Sequence, residues 1–189
     1  MKKSYFIGIA GGSASGKSTF CSILEKGLDE FQLKVFHMDD YFKAEEDRPF
    51  SKSPVTDKWY VDDNHPETIH SAQLHKDIGE ALESGTDAVI LEGLFVLMDE
   101  VICPQLDLKL FVDCRADERI VRRLRRNMAW GLTFDEIAGV YVDLVRFRHD
   151  EYVEPTKWKA DYIINGSVPS KPAADGIVEL IRRNIIKAQ

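Results

Sequence analysis

The segment Gly11-Gly12-Ser13-Ala14-Ser15-Gly16-Lys17-Ser18 matches G-x-x-x-x-G-K-S/T and lies between two runs of different period. Before it, Tyr5 to Ala10 is short and apolar, as in a buried strand. After it, Phe20, Ile23, Leu24, Leu28 and Phe31 recur at helical spacing. A strand that turns through glycines into a helix aims backbone N–H groups and the positive helix end at one point, which suits a phosphate. Glycine is required where a Cβ would block that approach. Gly11, Gly12, Ser13, Ala14, Ser15, Gly16, Lys17, Ser18 and Thr19 are therefore expected to cradle a nucleoside triphosphate. Lys17 would reach the β- and γ-phosphates and the Ser18 hydroxyl would ligate Mg²⁺. Gly8 and Gly11 are wrongly spaced for the G-x-G-x-x-G of a dinucleotide site.

The remaining chain alternates in the same way. Leu33 to Met38, Ala88 to Leu91, Leu108 to Val112 and Tyr162 to Ile164 read as further strands. Asn64 and Glu67 have capping-box spacing, with Pro66 in the first turn, so a helix is expected from Asn64 to about Ser84, stopped by Gly85. Helices are also expected over Asp117 to Met128, from Thr133 (boxed with Glu136) to about Tyr152, and from Pro172 to Lys187. Residues 43–64, with Pro49 and Pro54, read as a long functional loop holding at most a short helix. Apolar runs that alternate with helices predict an α/β fold: a P-loop NTPase with a five-stranded parallel sheet sandwiched by helices. The length of 189 residues and a hydrophobic fraction of 44% suit a single domain over 1–189.

The net charge of −7 argues against nucleic acid and anionic membrane as general partners. Cys21, Cys103 and Cys114 are odd in number and widely spaced, which predicts reduced packing cysteines and no zinc site. Met1-Lys2-Lys3 and the following apolar run resemble a signal peptide, but the run is too short and leads straight into the glycine loop. No stretch approaches the roughly 18 apolar residues of a membrane span, so a cytoplasmic location is expected. His65, His70 and His75 are five apart, the wrong spacing for a metal pair on a helix.

In a parallel sheet, ligands sit beyond the carboxyl ends of the strands. Asp39 and Asp40 follow the second expected strand and Glu92 follows the third. Asp39 is assigned as the base for an attacking hydroxyl and Glu92 to the shell of the metal. Arg119, Arg122, Arg123 and Arg126 lie along one broad helix face, with Ile120, Leu124 and Met128 expected to pack on the other side. Four like charges at that spacing repel, and an anion would relieve them. This stretch, about 115–132, therefore reads as a lid whose Arg123 and Arg126 clamp phosphates during transfer.

Taken in order, the GGSASGKST loop, His37-Met38-Asp39-Asp40-Tyr41-Phe42, Asn64-His65-Pro66-Glu67, Leu91-Glu92-Gly93-Leu94, Leu110-Phe111-Val112-Asp113, Arg122-Arg123-x-x-Arg126, Glu154-Pro155-Thr156 and Ala160-Asp161-Tyr162-Ile163-Ile164 span nearly the whole chain. With these pieces the chain resembles the uridine kinases of the uridine kinase and phosphoribulokinase group. The resemblance implies ATP or GTP as donor, Mg²⁺, and transfer to the 5′-hydroxyl of a nucleoside. It places Asp39 on the family's catalytic aspartate, Glu92 on its strand-end glutamate, and Arg123 and Arg126 on lid arginines. Relatives are often oligomers, which extends to an expected homo-oligomer here.

The departures concern the acceptor. Uridine kinases carry an aspartate before their His-Pro; here Asn64 stands there, behind Asp62 and Asp63. Their hairpin between the following helix and the third strand is replaced by Ser84-Gly85-Thr86-Asp87, and two further positions are Leu132 and Val140. Losing partners that hydrogen-bond a base removes discrimination. Asp39-Asp40 followed by two aromatics, with Trp59, also resembles nicotinamide riboside kinases. Tyr41, Trp59, Asn64, Asp39 and Arg123 are thus the expected acceptor contacts. Uridine or cytidine leads, followed by nicotinamide riboside and then a sugar phosphate or polyol. A GTPase-like switch would need N-K-x-D and D-x-x-G motifs, and neither occurs. A non-catalytic nucleotide-binding protein stays open as a further alternative.

Overall fold

Tyr5–Gly11 forms β1, the centre of the molecule, because its residues are buried on both faces. The computed structural model describes residues 4–188, so the expectation for Met1 to Lys3 falls outside the described residues. Leu33–His37 (β2), Ala88–Gly93 (β5) and Leu108–Asp113 (β6) join β1 in a sheet that Tyr162–Asn165 (β7) completes. The order is β2-β5-β1-β6-β7 and every pairing is parallel. The five expected strands are all present.

Strand alternation divides the core into two layers. Phe6 and Ala10 of β1, Val89 and Leu91 of β5 and Phe111 of β6 face one side. They meet Leu74, Ile78 and Ala81 of α2 (Ser71–Glu83) and the buried side chains of Leu94 to Leu97, Ile102, Cys103 and Leu106. Ile7, Ile9, Ala88, Ile90, Leu108, Leu110 and Val112 face the other side. There they meet Phe20, Cys21 and Leu24 of α1 (Lys17–Gly27) and Ile177, Val178, Ile181 and Ile185 of the C-terminal helix Lys171–Ala188. Each such aliphatic or aromatic side chain contributes about 1.5–3 kcal/mol on burial. The sheet is thereby covered on both faces, and its carboxyl edge is left to carry chemistry.

Residues 43–64 are more ordered than a loop. After a 3-10 turn at Glu45–Asp47 they form an antiparallel hairpin, β3 (Phe50–Lys52) with β4 (Trp59–Val61). The Ser53 hydroxyl accepts from the Val55 and Thr56 N–H groups at 3.1 Å each, and Asp57 turns the chain at φ 58°. The expected capping box at Asn64 is replaced. His65 Nδ1 accepts from the Glu67 N–H at 3.2 Å and caps a single 3-10 turn, Pro66–Thr68, and α2 proper starts only at Ser71. Asn64 is instead buried, and its N–H donates to Asp62.

Helix α3 spans Ala116–Ala129 and α4 Phe134–Val140. Thr133 and Glu136 do form the expected capping box at the start of α4. The helical path then continues through a π stretch (Tyr141–Val145), α5 (Arg146–Arg148), a second π stretch (His149–Val153) and a 3-10 turn (Glu154–Lys159) before β7, and Lys171–Ala188 is α6. The π stretches turn Asp143 and His149 inward. Asp143 accepts from Thr56 Oγ1 at 2.5 Å and from the Tyr60 hydroxyl at 2.7 Å, and these two bonds hold its carboxyl below the usual range. Arg148 donates to Asp62 at 2.7 Å and to Ser51 at 3.0 Å. Together they fasten the hairpin to this helix. Asp62 is fully buried, so Arg148→Ala would strand its charge. We expect a loss of about 3 kcal/mol of stability, read by urea denaturation, with Arg148→Lys recovering part of it.

Candidate active site

The phosphate loop owes its shape to a few backbone positions. Gly16 has φ 102°, and a Cβ on Gly11 would stand 2.6 Å from the Val112 carbonyl oxygen, so both positions require glycine. Ala14 also adopts a positive φ, 62°. A Cβ on Gly12 would meet Arg119 Nη1 at 2.6 Å and His149 Cε1 at 2.9 Å. The loop thus rests on these two side chains. Gly16 caps α1 without a side-chain acceptor for the first N–H groups, which leaves the positive helix end available to an anion. Lys17 is buried beside it, while Ser18 and Thr19 are exposed on the first turn.

Parallel register brings three strand ends together: Glu92 of β5 stands opposite Ile9 of β1 and His37 of β2. Glu92 Oε1 accepts from Ser18 Oγ at 3.0 Å and lies 2.9 Å from His37 Nδ1, which carries the proton in that contact. Its other oxygen, Oε2, is buried without a hydrogen-bond partner. An unpaired carboxylate oxygen beside a serine hydroxyl on a phosphate loop is a hard-donor set that fits Mg²⁺, which binds through one or two carboxylate or hydroxyl groups plus phosphates and water. Among the described residues no group of three or more His, Cys, Asp or Glu side chains could hold a metal by itself.

Asp39 is the second residue of the 3-10 turn Met38–Tyr41 that directly follows β2, and it is exposed. Its charge is felt at Arg126, whose pKa burial lowers and Asp39 raises. Helix α3 turns some of its arginines toward the loop. Arg123 Nη1 and Arg126 Nη2 both donate to Ser13 Oγ, at 3.0 and 3.3 Å. Arg123 is pushed below its usual value by burial and then by Arg126, against the pull of Asp63. Arg122 is turned elsewhere: it donates to the carbonyl oxygens of Gly166 at 2.9 Å and Ser15 at 3.4 Å. The expected apolar side of α3 does not pack in the core. Ile120 and Leu124 are only half-buried and Met128 is half exposed, because the buried positions are Arg119 and Asn127.

A cavity of about 830 Å³ opens beside the loop, bounded by Lys17 and Thr19 of α1, Arg122 and Arg126 of α3, and Asn165 and Pro169 after β7. It is large enough for a nucleotide base and ribose.

The structure therefore brings Ser13, Lys17, Ser18, Asp39, Glu92, Arg123 and Arg126 to one end of the sheet. Asn64 lies close by, lining a small cleft with Ser13, Arg119 and His149. Tyr41 and Trp59 stand apart. The Tyr41 hydroxyl donates to Asp77 of α2 at 2.9 Å, and burial together with that carboxylate pushes its pKa up to about 12. Trp59 is 57% exposed and stacks on Phe50 across the hairpin, centroids 6.1 Å apart. Asp62 is committed to Arg148, and Asp63 pairs with Arg48 at 2.9 Å.

His149 is a residue that sequence reasoning missed. Burial and then Arg119 lower its pKa, its Nε2 pairs with Glu154 at 3.3 Å, and its buried Nδ1 has no partner. No spacing rule signals it, because a π stretch delivers it to the loop.

A phosphate loop at the end of the central strand, a strand-end carboxylate and an arginine helix facing the loop define a P-loop kinase, a phosphotransferase acting on small molecules. The particular branch follows from comparison. The chain belongs to the phosphoribulokinase/uridine kinase family, whose sequence model matches residues 62–172. It is 31% identical, in an alignment 211 positions long, to a uridine kinase of Staphylococcus aureus (strain JH9), covering 99% of this chain and all of that one. Among solved structures it is similar to one described as a possible uridine kinase from Bacillus stearothermophilus, with a TM-score of 0.60 and 19% identity over 86% of this chain and 89% of that one. A shikimate kinase from Bacteroides thetaiotaomicron shares the fold with a TM-score of 0.55 and 15% identity, over 95% of this chain and 97% of the other. Among the described residues no helix is long and apolar enough to cross a membrane.

Proposed function

We propose that the chain transfers the γ-phosphoryl group of ATP to a hydroxyl of a small metabolite, foremost the 5′-hydroxyl of a nucleoside such as uridine or cytidine. The observation that carries this reading is the position of Arg126, which touches Ser13 of the phosphate loop and feels the charge of Asp39. The phosphate loop and the strand-end carboxylate thus both act on one residue of α3, the first by a hydrogen bond and the second through its charge. All of residues 1–189 act as one kinase domain, with a lid at about 115–132 and a substrate loop at about 43–64.

Asp39 accepts the proton of the attacking hydroxyl as its oxygen bonds to the γ-phosphorus and the bond to the β–γ bridging oxygen breaks, releasing ADP. Lys17 and the N–H groups of residues 12–18 hold the phosphates, and Arg123 and Arg126 carry the charge that spreads over the transferred group. Mg²⁺, held by Ser18 and the free oxygen of Glu92, supplies further neutralisation when bound. GTP in place of ATP uses the same phosphate contacts. Asn64, beside Ser13, and Arg123 are the acceptor contacts this reading favours. Trp59, stacked on Phe50 of the hairpin, and Tyr41, bonded to Asp77 of α2, are left a stacking role only if their segments move.

A second acceptor class is favoured by one feature. Helix α2 ends at Glu83 and β5 begins at Ala88, so only four residues stand where a uridine kinase places a base-reading hairpin. A site with fewer base contacts suits another riboside, such as nicotinamide riboside, or a sugar phosphate or polyol.

The test is ADP formation from ATP and Mg²⁺ across uridine, cytidine, nicotinamide riboside, ribulose 5-phosphate, glycerate and pantothenate. One acceptor is expected to raise turnover at least about tenfold over the acceptor-free rate, given the specificity of positioned acceptors. Tight ATP binding with no stimulation by any of them would overturn the proposal in favour of a nucleotide-binding switch.

A further inference from the structure

We infer that the Ser13 side chain is a positioning residue for phosphoryl transfer, the shared seat that holds Arg123 and Arg126 together over the phosphate loop. This inference rests on the kinase reading of the site and adds a role for a side chain that the loop motif leaves unspecified at that position.

Two cations converge here with no carboxylate between them. Among the described residues neither Arg123 nor Arg126 makes a salt bridge, whereas Arg122 on the same helix has Glu118 at 3.3 Å. Both are desolvated, and the charge of Arg126 depresses Arg123. Left alone, like charges in a shared, partly dry site splay apart. Ser13 Oγ is what they share, at 3.0 and 3.3 Å, and it is the one protein hydrogen-bond acceptor of Arg123 among the described residues. The Arg123 Nε is buried with no acceptor at all.

A hydroxyl oxygen has two lone pairs and one hydrogen. With both lone pairs taken by guanidinium donors, the hydrogen is left to donate, and an oxygen of a phosphate on the loop is the acceptor of matching charge. The seat is rigid from both sides. Beneath it, Gly12 rests against Arg119 and His149. Above it, Arg126 is braced by Nε donating to Asn127 Oδ1 at 3.0 Å and by the Trp130 ring 5.1 Å from its guanidinium carbon. Ser13 thus sets the two guanidinium groups in place before the γ-phosphate arrives, which is the preorganisation that charge stabilisation requires.

A double-mutant cycle tests this. Ser13→Ala is expected to lower kcat about 10- to 100-fold, the size of a lost charge-assisted hydrogen bond, while KM for ATP moves within about threefold. Ser13→Thr, which keeps the hydroxyl, should recover most of kcat. In an Arg123→Ala, Arg126→Ala background, Ser13→Ala should cost no more than about twofold further, because the groups it seats are gone. Full additivity in that background, or an unchanged kcat in Ser13→Ala, would overturn the role while leaving the kinase reading intact. If no acceptor raises the turnover of the wild-type chain, the kinase reading fails by itself. The seat is then read by tryptic cleavage after Arg123 and Arg126 in the ligand-free protein: faster cleavage of Ser13→Ala supports it, and equal rates sink it.

Discussion

Asp39→Asn is expected to lower kcat by about 10²–10⁴-fold, equivalent to about 3–5 kcal/mol of transition-state stabilisation, with ATP affinity within about threefold of the parent. The size follows from the task. Asparagine keeps the shape of the side chain and can still accept a hydrogen bond from the acceptor hydroxyl, but it cannot take the proton. The small effect on ATP follows from position, since Asp39 sits just after β2, whereas the loop proposed to hold the phosphates runs from the end of β1 to the start of α1. The electrostatic consequence for Arg126 is also defined. Asp39 is the charge that opposes the effect of burial on that guanidinium, so its removal leaves the lid cation less well balanced. Steady-state kinetics with the best acceptor, together with ATP binding by calorimetry, separate the two quantities. Loss of ATP binding in parallel with kcat would move Asp39 from the chemical step to the donor site.

Asp39, Glu92 and the phosphate loop were legible because each depends on local chain geometry. A strand ending in glycines that opens a helix has one common use, and a carboxylate directly after a strand can only lie at the sheet's carboxyl edge. The sheet itself was legible because five short apolar runs had no amphipathic alternative. Elements that depend on contacts between distant segments were not. β3 and β4 are three residues each, too short for any periodicity, and they hold their place through Asp143 and Arg148 nearly ninety positions later. Asn64 has the right spacing for a cap, yet the buried Asp62 takes its N–H and the cap passes to His65. Trp59 had the chemistry of a stacking residue, but strand alternation places it on the outer face of a hairpin whose inner face is used by Ser51 and Tyr60.

Helix α3 shows the same limit from the other direction. Its pattern of arginines against Ile120, Leu124 and Met128 reads as a helix that buries its apolar side. The structure instead buries the neighbouring face most deeply, where Arg119 and Asn127 are covered while Ile120 and Leu124 are only half-buried. The glycine loop supplies the reason: carbonyl groups of residues 15 and 166, the carbonyl of Cys114 and the Ser13 hydroxyl offer acceptors that an apolar stripe could not use. Hydrophobic pattern alone ranks faces by transfer energy, and here paired polar burial outweighs it.

That inward face sets the second large expectation. Arg126→Ala should lower kcat about 10³-fold, the scale on which a positioned arginine stabilises the charge of a transferring phosphoryl group. Arg126→Lys should restore only part of it, because an ammonium supplies the charge without the planar fork that reaches Ser13 and the Asn127 carbonyl together. Arg125 is the control. It lies on the same helix, is likewise exposed and, among the described residues, makes none of the loop contacts of Arg126, so Arg125→Ala should change kcat less than about twofold. The contrast isolates orientation from net charge, since both alanine variants remove one cation from α3. Equal losses in Arg125→Ala and Arg126→Ala would mean that α3 acts through its summed field on an anionic donor. In that case raising the salt from 50 to 500 mM should erase the difference from the parent, whereas a directed Arg126 contact in a partly buried site keeps most of its effect at high salt.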